Sequence, residues 1–303
     1  MRNFHFVKNR KVTLIILAAV LLVGVASFFI RGFNIDIDFS GGTEIQIDLG
    51  TEVTNDVCDN VNKIIAEKIG SDYVSSTTKS TANSTAAIIR TGTAALTTEQ
   101  QATLQDALVE AYPNTDVDNI EITTIQATIG ADLTKKAILS VVIAVALMLI
   151  YIWFRFELNS GIAAVVCLAH DLFVMFAVYS LFQIPINSNI IAALLTILGY
   201  SINATIIVFD RVRENKKLDG GVSEFGDIVN KSVHNTMARS INTTITTLLT
   251  IGMIYIMGVD SIKDFALPLI IGIVAGLFSS VFVSGMLWDM LNKVIKPKEK
   301  KAK

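Results

Sequence analysis

The chain has 303 residues, of which 52% are hydrophobic and only 17% charged, with a mean hydropathy of +0.56. A soluble domain carries about a quarter charged residues, so this balance excludes an ordinary soluble enzyme and indicates a polytopic membrane protein. The net charge of −2 counts for little as a total, because membrane proteins sort charge by side. Cys58 in a polar region and Cys167 in an apolar run provide neither a disulfide framework nor metal-ligand spacing.

Residues 1–11 carry Arg2, Lys8, Arg10 and Lys11 and precede an apolar run over 12–30. That run exceeds a signal-peptide core and no small-residue cleavage pattern follows, so an uncleaved signal anchor with a cytoplasmic basic end is expected. Residues 31–136 are the sizeable polar stretch and are expected outside. Within them, 44–48 alternates like a half-buried strand, and Val57, Val61, Ile64 and Ile65 form the apolar stripe of a helix over 54–69. Strands over 73–78 and 86–90 flank a turn at 81–84. Thr97 and Gln100 make a capping box for a helix through Tyr112, and 120–128 alternates again. The order strand, helix, strand, strand, helix, strand is that of a ferredoxin-like α+β domain. It has no histidine, and its scattered carboxylates do not point to catalysis.

Residues 137–292 hold five more apolar spans, over 137–154, 161–182, a stretch starting at 190, 239–257 and 265–288, with a cytoplasmic loop at 210–238 and a basic tail at 293–303. Basic residues follow the second and fourth spans, whereas the short outer connectors contribute only Lys263. The positive-inside rule therefore predicts six spans with both termini cytoplasmic. The tail reads as a solvated flank that can touch anionic membrane lipid, and no basic, aromatic surface argues for nucleic acid. Gly272, Gly276, Ser280 and Ser284 recur every four residues as a packing face, and Gly199 with Asn203 forms a similar pair.

Polar residues inside spans mark the candidate sites. The fourth span, IIAALLTILGYSINATIIVFDRVREN, carries Tyr200, Ser201, Asn203 and Thr205 before Asp210 and Arg211 end it at the cytoplasmic edge. Asp171 lies near the middle of the third span. Burial can make such a carboxyl a proton carrier, or it can simply bond neighbouring helices. His170, adjacent in sequence, is expected to pack or lie at the interface rather than act on Asp171. Arg239 starts the fifth span, followed by Ser240, Asn242, Thr243, Thr244, Thr246, Thr247 and Thr250. These suit an internal polar path, with snorkelling of Arg239 to headgroups as the simpler alternative. No phosphate-binding or nucleotide motif is present, so neither cofactor, metal nor enzymatic activity is expected.

Several of these motifs resemble one family. The fourth span is similar to the fourth transmembrane helix of SecF proteins, subunits of the accessory complex that assists bacterial Sec export. The segment Asp36-Ile37-Asp38-Phe39-Ser40-Gly41-Gly42 resembles the family's DFxGG signature. Residues 129–133, His170-Asp171 and the run Asn235 to Ser240 also match, in the family's order. The resemblance implies a six-helix half of a resistance-nodulation-division-type membrane unit with an extracytoplasmic ferredoxin-like domain, in the bacterial cytoplasmic membrane. It further implies a SecD-like partner subunit, the Sec translocon channel and unfolded preprotein as partners.

The resemblance also implies that Arg239 works with an aspartate on the fourth span to couple ion flow to outer-domain movement. Here the chain departs from the pattern. Asn203 is followed by Ala204, which can neither carry a proton nor pair with Arg239. Any ion dependence is then expected from the partner, with Asp171 structural or secondary. Asp38, Phe39, Gly41 and Gly42 are expected to form a tight turn rather than to contact substrate. Alternative functions are a small-molecule or lipid exporter of the same superfamily, which needs a pocket between two homologous halves, and a non-transporting membrane scaffold.

Overall fold

The computed structural model describes residues 5–70, 73, 75–80, 83–92 and 95–295; Thr81 and Ala82 of the expected turn and most of the basic tail lie outside them. Helix α1 (Arg10–Arg31) leads through a one-turn helix α2 (Ile37–Ser40) into β1 (Gly42–Asp48), α3 (Asn55–Lys68), β2 (Ser75–Lys79), β3 (Ala86–Thr91), α4 (Thr98–Ala111) and β4 (Asp116–Ile125). Five long helical stretches follow: α5 (Ala127–Arg155), α6 (Leu158–Phe182), α7 (Asn189–Asp219), α8 (Phe225–Met257), and a last one made of α9 (Asp260–Phe278), a π turn (Ser279–Val283) and α10 (Ser284–Val294). With α1 these make six apolar helices, each longer than the roughly 20 residues that cross a bilayer.

The strands form one antiparallel sheet in the order β2-β3-β1-β4. Alternation places Ile45, Ile47, Ala87 and Ile89 on one face, buried against Val61 and Ile65 of α3 and Leu104 and Leu108 of α4. The capping box of Thr97 and Gln100 is complete, and α4 ends at Tyr112, its C-cap.

Several boundaries differ from expectation: the last strand is Asp116–Ile125 rather than 120–128, α6 and α9 start a few residues early, and three larger shifts have a local reason. Helix α5 starts at Ala127 rather than 137, because its first turns pack on α2: a Cβ at Gly130 would fall 2.8 Å from the Phe39 carbonyl oxygen. Most of the expected loop at 210–238 is helical. Good helix formers carry α7 on to Asp219, where Gly220 stops it with φ 63°. Helix α8 begins at Phe225 because Val229 and Val233 are buried with Phe209 and Trp288. Finally, the last span contains a π turn at Ser279–Val283.

Helix α9 is central to the bundle because its small residues admit α7 closely. A Cβ at Gly272 would overlap the Ile197 side chain, and one at Gly276 would touch Ser201 Cβ at 3.4 Å. Gly199 has the same four-residue pairing with Asn203 but no atom within 4 Å of its Cβ position, so that pair faces away from this chain's own helices. We predict that Gly272→Val lowers stability by about 1–3 kcal/mol through overpacking, and that Ile197→Ala partly restores it. Thermal unfolding of the single and double variants in detergent checks this; additive losses would mean that the two side chains do not share the space.

Candidate functional site

Polar groups gather at three places. The first surrounds Asp171, whose side chain is 1% exposed. Ser201 on α7 donates to its Oδ2, Ser279 Oγ of the π turn donates to the same oxygen at 2.8 Å, and His170 Nδ1 lies 2.9 Å from Oδ1. His170 thus contacts Asp171, contrary to expectation, since the χ angles of adjacent residues can turn two side chains together even where their Cα atoms face differently. A charged carboxylate at mid-helix costs roughly 2.5–3.5 kcal/mol, and a hydrogen bond to a charged group returns about 1.5–3 kcal/mol. Two or three such bonds offset that cost without a formal ion pair. Cys167 Sγ approaches the Ser279 carbonyl at 3.9 Å and adds to the same α6–π turn contact.

The second place is the outward face of α7 and α8. Asn203, Arg239, Asn242, Thr243 and Thr246 are exposed, and Ala204 is half-buried. Asp171 does not join them; it lies between α6, α7 and the π turn. The hydroxyls of Thr246 and Thr247 bond the Thr243 carbonyl of their own helix at 2.9 Å. These polar residues therefore line a lateral surface of the chain rather than an internal path within it. Further along α7, Arg155 Nη2 at the end of α5 clasps both carboxylate oxygens of Asp210 at 2.9 and 3.0 Å, and Arg211 pairs with Glu214 at 2.7 Å. Both pairs are largely exposed, so they contribute about 0–1 kcal/mol.

The third place joins the sheet to the membrane helices. The backbone from Asn34 to Asp36 pairs with Ile186 in the α6–α7 connector, through Asp36 N–H to Ile186 O at 3.1 Å and Ile186 N–H to Asn34 O at 2.8 Å. Asp38 Oδ2 accepts from the Ser188 backbone N–H at 2.7 Å. Phe39 packs against the outer half of the bundle. Gly41 and Gly42 have φ of 76° and 138°; a Cβ at Gly41 would lie 2.7 Å from Ala127 Cα, and one at Gly42 would overlap the Thr91 carbonyl oxygen. Both positions therefore combine a turn with a close approach.

Sequence reasoning passed over Arg90 of β3. Its Nε lies 2.7 Å from Glu44 Oε2 and 3.4 Å from Asp36 Oδ2 but is aligned for a hydrogen bond with neither, so charge attraction carries the contact. Burial pushes the Asp36 and Glu44 carboxyls up, against the opposing pull of Arg90. Asp264, at the outer start of α9, is within electrostatic reach of both and accepts from Asn187 Nδ2 at 2.6 Å.

Together, the fold and these sites define a six-span membrane protein that carries a small α+β unit and turns a polar face sideways within its spans. Residues 104–294 match the family model described as protein export membrane protein SecD/SecF, C-terminal. The chain is 36% identical over 299 residues to the protein translocase subunit SecF of Acidaminococcus fermentans, covering 98% of this chain and 100% of that one. It is 34% identical to SecF of Borreliella burgdorferi, over 97% and 99%. Its structure is similar to that of SecDF, a translocon-associated membrane protein from Thermus thermophilus, with a TM-score of 0.81 and 28% identity over 96% of this chain. It spans 39% of that longer SecDF chain. The chain belongs to the SecD/SecF protein-export family, on its SecF side, and is a multi-pass protein of the bacterial inner membrane.

The Asp171 cluster yields a prediction. Asp171→Leu leaves the Ser201 hydroxyl without its acceptor, whereas Ser279 can fall back on the Gly276 carbonyl at 3.2 Å. We expect a loss of about 1–3 kcal/mol for Asp171→Leu and a smaller one for Asp171→Asn, which keeps an acceptor oxygen. Melting temperatures in detergent provide the comparison; equal stability of wild type and Asp171→Leu would show that these bonds contribute nothing net.

Proposed function

We propose that the chain is a SecF-like translocase subunit that pairs laterally with a SecD-like subunit and, with the Sec translocon channel, assists export of unfolded preprotein. The observation that carries this reading is the exposed polar face of Asn203, Arg239, Asn242 and Thr243. Polar side chains at membrane depth face protein or water rather than lipid, so this face is one that another protein covers. Gly199, with open space at its Cβ position, lets a partner helix approach there. The membrane lipid then contacts the apolar outer surfaces of α1 and α5, where Leu22, Phe29, Ile138 and Leu147 are exposed.

In this reading, residues 31–136 form an extracytoplasmic ferredoxin-like domain, supported by the β2-β3-β1-β4 order and the two helices on one face. Both termini are cytoplasmic. Phe6 N–H bonds Asn230 Oδ1 at 2.9 Å and Arg155 clasps Asp210, so Lys8, Arg155, Arg213 and Lys293 gather at the end opposite the sheet, as the positive-inside rule requires.

A cysteine at Asn203 or Thr243, in a chain lacking Cys58 and Cys167, should cross-link to a co-purifying SecD-like subunit. Cross-links only between copies of this chain would favour a self-paired exporter, and none would favour an isolated scaffold.

Ion coupling is the second part of the proposal. With Ala204 in place, the face offers the Arg239 charge but no carboxylate of its own beside Asn203, so the acid in any ion step comes from the partner. Arg239→Ala should then lower export several-fold with normal insertion. Ala204→Asp should change the pH dependence of export in reconstituted vesicles, and Asp171→Asn should change it less. Loss of proton-dependent export in an assembled Asp171→Asn complex would move the coupling role to Asp171.

A further inference from the structure

Two covalent connections hold the sheet on the membrane helices: α2 into β1, and β4 into α5. The first runs through Gly41 and Gly42, both at positive φ, a joint that restricts rotation less than side-chain-bearing residues would. The backbone bonds of Asn34 to Asp36 fasten the linker to the α6–α7 connector, but they do not touch the sheet. Beyond these connections, the sheet's own side-chain attachments to the layer below bear on its tilt. Ser80 Oγ, after β2, bonds Asp260 Oδ2 at 2.5 Å at the start of α9. Arg90, on β3, reaches Asp36 of the linker and lies in the field of Asp264 on α9, while Glu44 of β1 holds the guanidinium from within the sheet.

We infer that Arg90 is a positioning residue for export: its guanidinium, shared by a carboxylate of the sheet and one of the linker, locks the outer domain at one tilt over the membrane unit. The inference rests on the proposed export role for its functional half; the docking half stands on geometry alone. The charged groups at Arg90 are Asp36 in the linker and Glu44 on β1, with Asp264 on α9 within electrostatic reach. Two of these carboxylates share one cation. Removing it leaves Asp36, which is 4% exposed, and Glu44 without their common partner, so the sheet loses its charged tie to the linker.

The test uses the assembled complex in membranes, in a chain lacking Cys58 and Cys167, with Ser80→Cys and Asp260→Cys as a docking reporter that replaces their hydrogen bond and leaves Arg90 as the tie under test. Arg90→Gln, which removes the charge but keeps a polar side chain, should lower both the cross-link yield and the export rate several-fold. Arg90→Lys, which restores charge without the planar fork, should recover a substantial part of both. A merely structural role in the strand would not separate Lys from Gln in this way. Wild-type cross-linking in Arg90→Gln, or normal export despite a lost cross-link, overturns the inference. So does disappearance of both variants from the membrane, which would make Arg90 a folding residue. Failure of the wild-type chain to stimulate export would instead count against the proposed function, while the cross-link series would still decide the docking.

Discussion

The contact between α7 and α9 is the constraint on which the membrane half depends. Ile197 fills the space left by Gly272, and one turn further Ser201 lies beside Gly276. No hydrophobic force drives helices together in lipid, so such close approaches and the hydrogen bonds they permit supply the association. Once α7 presents Ile197 and Ser201 inward, its helical period turns Gly199 and Asn203 outward. The same packing decision thus creates the buried Asp171 cluster and the lateral polar face.

The Asp171 cluster lies where the last span becomes irregular. Ser279, three residues after Gly276 and at the head of the π turn, donates to the carboxylate, and its carbonyl meets the Cys167 thiol. Beyond it, Ser284 bonds back to the Ser280 carbonyl at 2.6 Å. The hydroxyl bonds to Asp171 satisfy a buried acid where water is absent.

Much of the architecture is legible in the sequence because the relevant signals are local. Twenty apolar residues mark a span whatever they pack against, and Thr97 with Gln100 marks a helix start through bonds within three residues. Alternation likewise placed the strands to within a few residues. The misses are of another kind. Helices α5, α7 and α8 run past the apolar segments because hydropathy reports where lipid ends rather than where the helix does. Gly199–Asn203 and Gly272–Gly276 have identical spacing, yet one meets Ile197 and the other open space; spacing says that a close approach is possible and is silent about the partner. Ser279 and Arg90 were passed over since each acts on residues far away in sequence, and a lone arginine on a strand has no pattern to distinguish it.

The two polar regions of the membrane half differ in a way that bears on how the subunit works. Asp171 is satisfied by its own chain: its bonds run to α7 and to the π turn, so altering the carboxylate would disturb the packing of three helices at once. A group so placed resists change and suits a fixed strut. Arg239, by contrast, is exposed on the lateral face, and Ala204 on the neighbouring helix offers it no acid. On the proposed reading, a partner must both shield that charge from lipid and bring a carboxylate to it, which makes subunit pairing and any ion step one and the same contact. On that reading the departure at Ala204 shifts the acid across the interface rather than abolishing the step: the cation stays in this chain, and any titrating group belongs to the subunit that covers it.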